Sequence, residues 1–241
     1  MKIAVVIPVL EEPRAVLEAL VVDVIVACRE KVVGIHFVYS PRTSPETRAA
    51  IAKISSPLVV HYEQILPGVG GAYRDGLCTA RRTTLHERVT HLLMLEGDGE
   101  ADPSTIPSML RAAEEQDADV VIASRWLPDS EIEGYRPDKL ALNWGFNKLF
   151  GCLLRSPVHD HTFTFKLLRR EVAEAFEWSA ERQDIGSQTT MWPVAAGYKV
   201  VEVPTTWRAR IGKSKGTLSL AGNLRHVRAG VEALKIRWGR R

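Results

Sequence analysis

The sequence predicts an α/β fold: a mainly parallel central sheet flanked by helices, with an amphipathic helix at the C-terminus. Over the first two thirds of the chain, short β-rich runs alternate with helical patterns, the signature of parallel strands joined by crossover helices. The run Ile3–Ile7 is apolar nearly throughout, as a strand covered on both faces must be. The segment from Leu218 to Trp238 repeats apolar residues at helical spacing among Arg and Lys.

The elements follow in order. A strand over Ile3–Ile7 leads into a helix from about Arg14 to Glu30, then a strand near Ile35–Tyr39. Ser44 and Pro45 supply a cap and a first-turn proline for the next helix. Leu58–Tyr62 is a third strand. Pro67 to Gly71 reads as a flexible turn before a helix beginning near Ala72. His91–Leu95 is a fourth strand ending directly at Glu96-Gly97-Asp98-Gly99-Glu100. Asp102-Pro103 caps a helix reaching about Gln116, and Val120–Ala123 is a fifth strand. Beyond Ser124 the pattern loosens. Pro128–Asp138 reads as a polar loop, followed by a helix from about Lys139 to Arg155 and a short strand near Thr164–Leu167. Helices near Arg170–Phe176 and Ser187–Ala196, and a strand at Val200–Val203, precede the terminal helix. With no repeat or linker, the 241 residues read as one domain, with a nucleotide-binding part over about 1–124 and an acceptor-binding part over about 125–241.

Bulk properties exclude several classes. Hydrophobic residues make up 45% and charged residues 25%, ordinary for a globular chain. A net charge of +3 is too small to argue for nucleic acid as a partner. Cys28, Cys78 and Cys152 form no paired motif, which disfavours disulfides and zinc and suits a reducing cytoplasm. The apolar stretch from Val16 to Cys28 carries Glu18 and Asp23 and is too short to span a bilayer.

The chemistry concentrates after the fourth strand. Carboxylates at Glu96, Asp98 and Glu100, separated by glycines, leave the sheet at the carboxyl edge where open α/β sheets bind ligands. Carboxylates this dense repel one another unless a cation neutralises them, and such oxygen ligands select Mg²⁺ or Mn²⁺. A solvated acidic turn is an equally good reading of the segment by itself.

An ordered series of motifs along the chain separates these readings. Ile7-Pro8-Val9-Leu10-Glu11-Glu12 is similar to a strand-and-nucleotide loop of the form P-x-Y-N-E, and Gly68 to Gly76 to a G-x-G-x-A-x-x-x-G segment. Leu95 to Pro103 matches the position of M-D-A-D-x-x-x-x-P. Val121 to Trp126 resembles V-x-G-S-R-Y, and Asp160 to Lys166 resembles D-x-T-S-G-F-R. Glu202-Val203-Pro204 through Arg210 to Lys215 resembles E-V-P … R-x-x-G-x-S-K, one residue short. Taken together they resemble glycosyltransferase family 2, and within it the dolichol-phosphate mannose synthase-like branch.

The resemblance implies a GT-A type fold, a UDP- or GDP-linked sugar donor, a divalent cation and inverting transfer, with a polyprenyl phosphate as acceptor. By motif position Asp98 is the principal metal ligand, with Glu96 and Glu100 beside it. Pro8, Leu10, Glu12, Gly70, Glu96, Gly97, Asp98, Arg210 and Lys215 fall at nucleotide-sugar positions. Arg125, Arg136 and Lys213 fall to the acceptor phosphate, with Lys139 a weaker candidate. Asp98, Arg125 and Asp160 form the catalytic set, Asp160 being the candidate base. A phosphate acceptor is already ionised and needs no strong base, whereas an alcohol does. His159 and His161 read as packing or hydrogen-bonding residues. The terminal helix either packs on the domain or lies on an anionic membrane surface at the cytoplasmic face.

The sequence also departs from the pattern. Tyr39-Ser40 stands where the family has an acidic pair, Gln188 stands where a Glu is common, and Phe163-Thr164 lacks the expected glycine. A soluble hydroxyl acceptor is the alternative within the same chemistry. A sugar-phosphate nucleotidylyltransferase is disfavoured because no glycine-rich triphosphate loop follows the first strand. A nucleotide-sugar-binding pseudoenzyme is disfavoured by the retained Asp98.

Overall fold

The structure, a computed structural model, describes residues 1–80, 89–210 and 220–239. Its strands are β1 (Ile3–Val9), β2 (Val32–Tyr39), β3 (Val59–Glu63), β4 (His91–Met94), β5 (Val120–Ser124), β6 (Glu131–Glu133), β7 (Lys166–Arg169), β8 (Val200–Pro204) and β9 (Thr206–Arg208). Its helices are α1 (Arg14–Cys28), α2 (Pro45–Ala52), α3 (Gly68–Ala80), α4 (Ile106–Glu115), α5 (Pro137–Leu154), α6 (Arg170–Glu174), α7 (Asp184–Ala196) and α8 (Leu220–Gly239).

The main sheet has the order β3-β2-β1-β4-β7-β5-β8. Every pairing in it is parallel except those of β7, which runs antiparallel to both neighbours. Period-two alternation along β1 sends Ile3, Val5, Ile7 and Val9 into one core and Ala4 and Val6 into the other. The first core is closed by α1, α2 and α4. The second is closed by α3, α5, α7 and α8. The sheet is therefore covered on both faces, which is why β1 carries no polar side chain.

The expected elements form, with differences that have tertiary causes. Helix α3 starts at Gly68, not near Ala72, so the glycine run lies inside the helix. Glycine weakens an isolated helix, but here its lack of a Cβ lets the first turn press against residues 180–182. A Cβ on Gly70 would lie 2.6 Å from the Ala180 carbonyl oxygen. The segment read as a loop over Pro128–Asp138 contains β6, which pairs in parallel with β9. Strands this short, with the partner far along the chain, leave no periodic signal. The expected strand near Thr164–Leu167 forms two residues later, as β7.

Most of the apolar stripe of the terminal helix does not face inward, although Leu234 packs on the second core. Leu224, Val227, Val231 and Trp238 are exposed, while Ala229 and Ala233 are buried. Gly230 sits so close to Phe150 of α5 that a Cβ would fall 2.0 Å from the ring. Small residues make the close approach of α8, Leu234 and Ile236 pack against the second core, and Leu224, Val227, Val231 and Trp238 point away. Among the described residues no helix is long and apolar enough to cross a membrane.

Helix α3 crosses β1 just as closely, because a Cβ on Gly76 would lie 2.2 Å from Cγ1 of Val6 and 3.2 Å from Cγ2 of Val38. Gly76→Ala is expected to destabilise the protein by about 1–3 kcal/mol through overpacking. The urea midpoint should fall at unchanged slope.

Candidate active site

The acidic turn is shaped by its glycines. Gly97 lies against the end of β1, where a Cβ would sit 2.9 Å from the Pro8 carbonyl oxygen, and Gly99 takes a left-handed φ of +75°. The turn then pairs with the β9 strand. Arg208 N–H donates to the Glu100 carbonyl at 2.9 Å, and Ala101 bridges Trp207. This brings Arg210 over the turn: its backbone N–H donates to Glu100 Oε1 at 3.1 Å, and its guanidinium donates to the Asp98 carbonyl at 3.2 Å.

Glu96 Oε1 accepts from the Thr164 hydroxyl at 2.7 Å. Burial foremost, and then the Asp98 charge, outweigh that hydrogen bond and raise the Glu96 carboxyl to about 7. Two departures from the family pattern thus meet: the longer acid at 96 is held by the threonine that stands where a glycine was expected. Asp98 Oδ1 accepts from the Glu100 N–H at 3.0 Å. Among the described residues no group of three His, Cys, Asp or Glu side chains is gathered to hold a metal ion. The three-carboxylate set expected from the sequence is not assembled, because Glu100 is engaged with Arg210. Glu96 and Asp98 still suit a hard cation, since their mutual repulsion is what a bound positive charge relieves.

The opposite side is organised by a buried ion pair. Arg125, immediately after β5, meets Asp160 through Nε to Oδ2 at 2.8 Å and through a second guanidinium nitrogen to Oδ1 at 3.1 Å. The same guanidinium reaches the Thr162 hydroxyl at 2.9 Å and lies 4.4 Å from the Phe163 ring centre. Backbone N–H groups of Arg125, Thr162 and Phe163 also donate to Asp160. Burial alone would raise the Asp160 carboxyl, but the Arg125 charge and these hydrogen bonds hold it at about 2. The sequence proposed Asp160 as a base. Its geometry is instead that of a structural anion, with both oxygens occupied and little proton affinity.

Other expected residues take definite places. Glu12 Oε2 accepts the Leu10 N–H at 2.5 Å, and the loop of Pro8, Leu10 and Glu12 is tied to the start of α2 by Ser44 N–H and the Thr47 hydroxyl. Gly70 gives its N–H to the Glu181 carbonyl at 3.0 Å, so that amide packs α3. Tyr39, in place of the family's acid, is buried beneath the Arg48 guanidinium, 5.3 Å from its ring centre. Gln188 is spent on the backbone, accepting from Ser179 and Ala180 N–H at 3.0 Å each. Arg136 pairs with Asp138 at 2.6 Å. His159 binds Glu202 at 2.8 Å, and His161 is fully buried, with burial taking its pKa down to about 4. Lys213 and Lys215 lie outside the described residues.

One cavity of about 660 Å³ joins these parts. Glu96, Asp98 and Glu100 line it, with Arg125, Thr162 and Thr164 alongside. Tyr135, Arg136, Lys139, Leu142, Asn143 and Phe146 enter from the β6–α5 region, and Asn223, His226 and Val227 from α8. Trp207 packs edge-on against Tyr135, with centroids 4.9 Å apart. Sequence reasoning had not singled out Thr162, Asn143, Trp207, Asn223 or His226 as site residues. Only Thr162 lay within a quoted motif.

Solved structures share this architecture. Glucosyl-3-phosphoglycerate synthase from Mycobacterium tuberculosis, in complex with Mn²⁺, UDP and phosphoglyceric acid, superposes with a TM-score of 0.66 at 16% identity. The match covers 98% of this chain and 78% of that one. The same enzyme with Mg²⁺ and UDP gives 0.66 at 17%, over 99% and 79%. The fold is thus of the GT-A glycosyltransferase class. The chain belongs to glycosyl transferase family 2, whose profile matches residues 4–176, and it is a glycosyltransferase. Polyprenol monophosphomannose synthase of Mycolicibacterium smegmatis is 29% identical over 190 residues, 75% of this chain and 70% of that relative. Dolichyl-phosphate hexose transferase of Haloferax volcanii is 33% identical over 73 residues, 30% of this chain and 32% of the relative.

Asp160→Asn leaves the Arg125 charge buried with a weakened partner and is expected to cost about 3–5 kcal/mol. The Asp160 pKa is depressed from about 3.9 in the unfolded chain to about 2 in the folded one. The carboxylate's stabilisation is therefore complete above the first value and disappears as pH falls through the second. Urea titrations of both forms between pH 7 and pH 2 should show the gap closing over that window.

Proposed function

We propose that this glycosyltransferase moves a sugar, with inversion, from a UDP- or GDP-linked donor to a polyprenyl phosphate, with Mg²⁺ or Mn²⁺ as cofactor. The observation that carries the reading is the division of this cavity. One wall is acidic, at Glu96 and Asp98. The other is basic, at Arg136 and Lys139, and opens between Leu142 and Val227, which are 46% and 40% exposed. A cation with a nucleoside diphosphate suits the first wall, and a phosphate on an apolar chain suits the second.

When bound by Glu96 and Asp98, a divalent cation supplies Lewis-acid neutralisation of the departing diphosphate. The chain's own residues do the rest. Thr164 orients Glu96, and the guanidinium of Arg210 lies across the turn, adding positive charge near the diphosphate. Arg125 is fixed by Asp160 and keeps a positive face on the cavity between the two walls. An ionised acceptor phosphate attacks without a strong base, which agrees with an Asp160 held ionised and fully hydrogen-bonded. Exposed stripes on α5 (Leu142, Leu149, Leu153) and α8 (Leu224, Val227, Val231) each contribute one residue, Leu142 and Val227, to the cavity lining and suit peripheral contact with a membrane surface, the α8 stripe being interleaved with Arg225, Arg228 and Lys235. That contact suits work at the cytoplasmic face. The names of the two curated relatives point to the same acceptor class.

The test is a donor screen with radiolabelled nucleotide sugars, a divalent cation and short polyprenyl phosphates. Transfer to lipid phosphate is expected, and Asp98→Asn should lower it by at least about 100-fold. Robust transfer to a soluble alcohol, with none to lipid phosphate, would favour the alternative acceptor. Because Glu96 titrates near 7, protons compete with the cation below that pH. The Mn²⁺ concentration for half-maximal activity should rise roughly tenfold from pH 6.5 to pH 5.5.

A further inference from the structure

The α5–α8 end of the cavity presents a residue that belongs to none of the sequence motifs. His226 lies midway along α8 and lines the cavity with Asn223 and Val227 of its own helix and Asn143 and Phe146 of α5. Its Nδ1 is 2.8 Å from Oγ of Ser187, a fully buried residue of α7. Its ring meets Phe146 edge-on, with centroids 5.9 Å apart and planes at 70°. These contacts hold the ring through Nδ1 and its edge, and among the described residues no hydrogen bond engages Nε2.

The tautomer follows from Ser187. Its hydroxyl has no other hydrogen bond among the described residues, and a buried O–H without an acceptor is costly. The serine proton therefore goes to Nδ1, and the imidazole proton sits on Nε2. Burial, aided by Arg125 and Lys166 and opposed by Asp184, lowers the His226 pKa, so the ring is neutral near pH 7.

A phosphate entering this cavity is repelled by the wall of Glu96, Asp98 and Glu100. It is drawn to the end that holds Arg136, Lys139 and His226. We propose that His226, oriented by Ser187, binds the acceptor: its Nε2–H donates a hydrogen bond to an oxygen of the acceptor phosphate. Ser187 is a positioning residue and does not touch the substrate. The cations attract any phosphate, whereas a fixed single donor beside Leu142 and Val227 selects one whose ester chain leaves through the apolar mouth. The inference rests on the lipid-phosphate reading and deepens it.

The experiment uses the full chain with citronellyl phosphate, a short prenyl phosphate. In protein labelled with ¹⁵N-histidine, the His226 ring signals are assigned by their loss in His226→Gln. Citronellyl phosphate should shift the Nε2 signal, and UDP with Mg²⁺ should leave it in place. Kinetically, His226→Ala should raise the KM for prenyl phosphate by about tenfold or more without moving the donor KM. His226→Gln, whose amide N–H reaches a similar position, should recover part of the loss, and Ser187→Ala should give a smaller rise of the same kind. Thermal melts of each variant separate these effects from unfolding. Binding of citronellyl phosphate with the His226 signal unmoved, or an unchanged acceptor KM in His226→Ala, overturns the assignment and leaves the acceptor reading standing. A wild-type protein that binds nucleotide but neither binds nor glycosylates prenyl phosphate brings down both.

Discussion

The buried pair of Arg125 and Asp160 is the interaction on which the site depends. Side-chain exposure is 9% for the arginine and nil for the aspartate. Charges this dry are tolerable only when nearly every lone pair and proton is used. That requirement draws the end of β5, the chain before β7 and the first turns of α5 into one network. Asp160 collects donors from Arg125, Thr162 and Phe163, and its own N–H goes to Glu202 of β8. Thr162 in turn receives Asn143, which also accepts from Trp126 and Asn147. The pair sets where β7 enters the sheet, and with it where Thr164 stands to receive Glu96.

Electrostatic asymmetry is the second consequence. Glu96 and Asp98 crowd negative charge at the carboxyl edge of β4, and burial first, then the Asp98 charge, raises the Glu96 pKa. Arg125, Arg136 and Lys139 line the same cavity as this edge. Both substrates proposed for the enzyme are anionic, and the proposal assigns them different means of binding: a recruited cation for one and fixed side-chain donors for the other.

The helices that roof the cavity reverse the usual reading of an amphipathic pattern. α8 buries alanine and glycine against Phe150 and leaves Leu224, Val227 and Val231 outside. α5 likewise exposes Leu142, Leu149 and Leu153, while Phe150 and Leu154 face the core. Helix axes approach most closely where side chains are smallest. The apolar faces left over reach the cavity at Leu142 and Val227, and the proposed lipid acceptor gives them a use.

Much of the fold was legible because it rests on local regularities. The doubly covered β1, the Ser44-Pro45 cap and the acid-glycine alternation after β4 are all written within a few residues, and the series of motifs located the cavity's acidic wall and Arg125. Other features join distant stretches of chain and leave no mark on either alone. Examples are the β6–β9 ribbon, the start of α3 at Gly68, the Thr164–Glu96 bond, and the Ser187–His226 pair, whose members are 39 residues apart. The segment Glu96 to Glu100 shows both sides. Its sequence determined that acids and flexible backbone leave the sheet together, since strand end and turn chemistry are local. Only the tertiary structure decided that Glu96 meets Thr164 while Glu100 turns to Arg210, because a carboxylate's role depends on the partners that folding delivers to it.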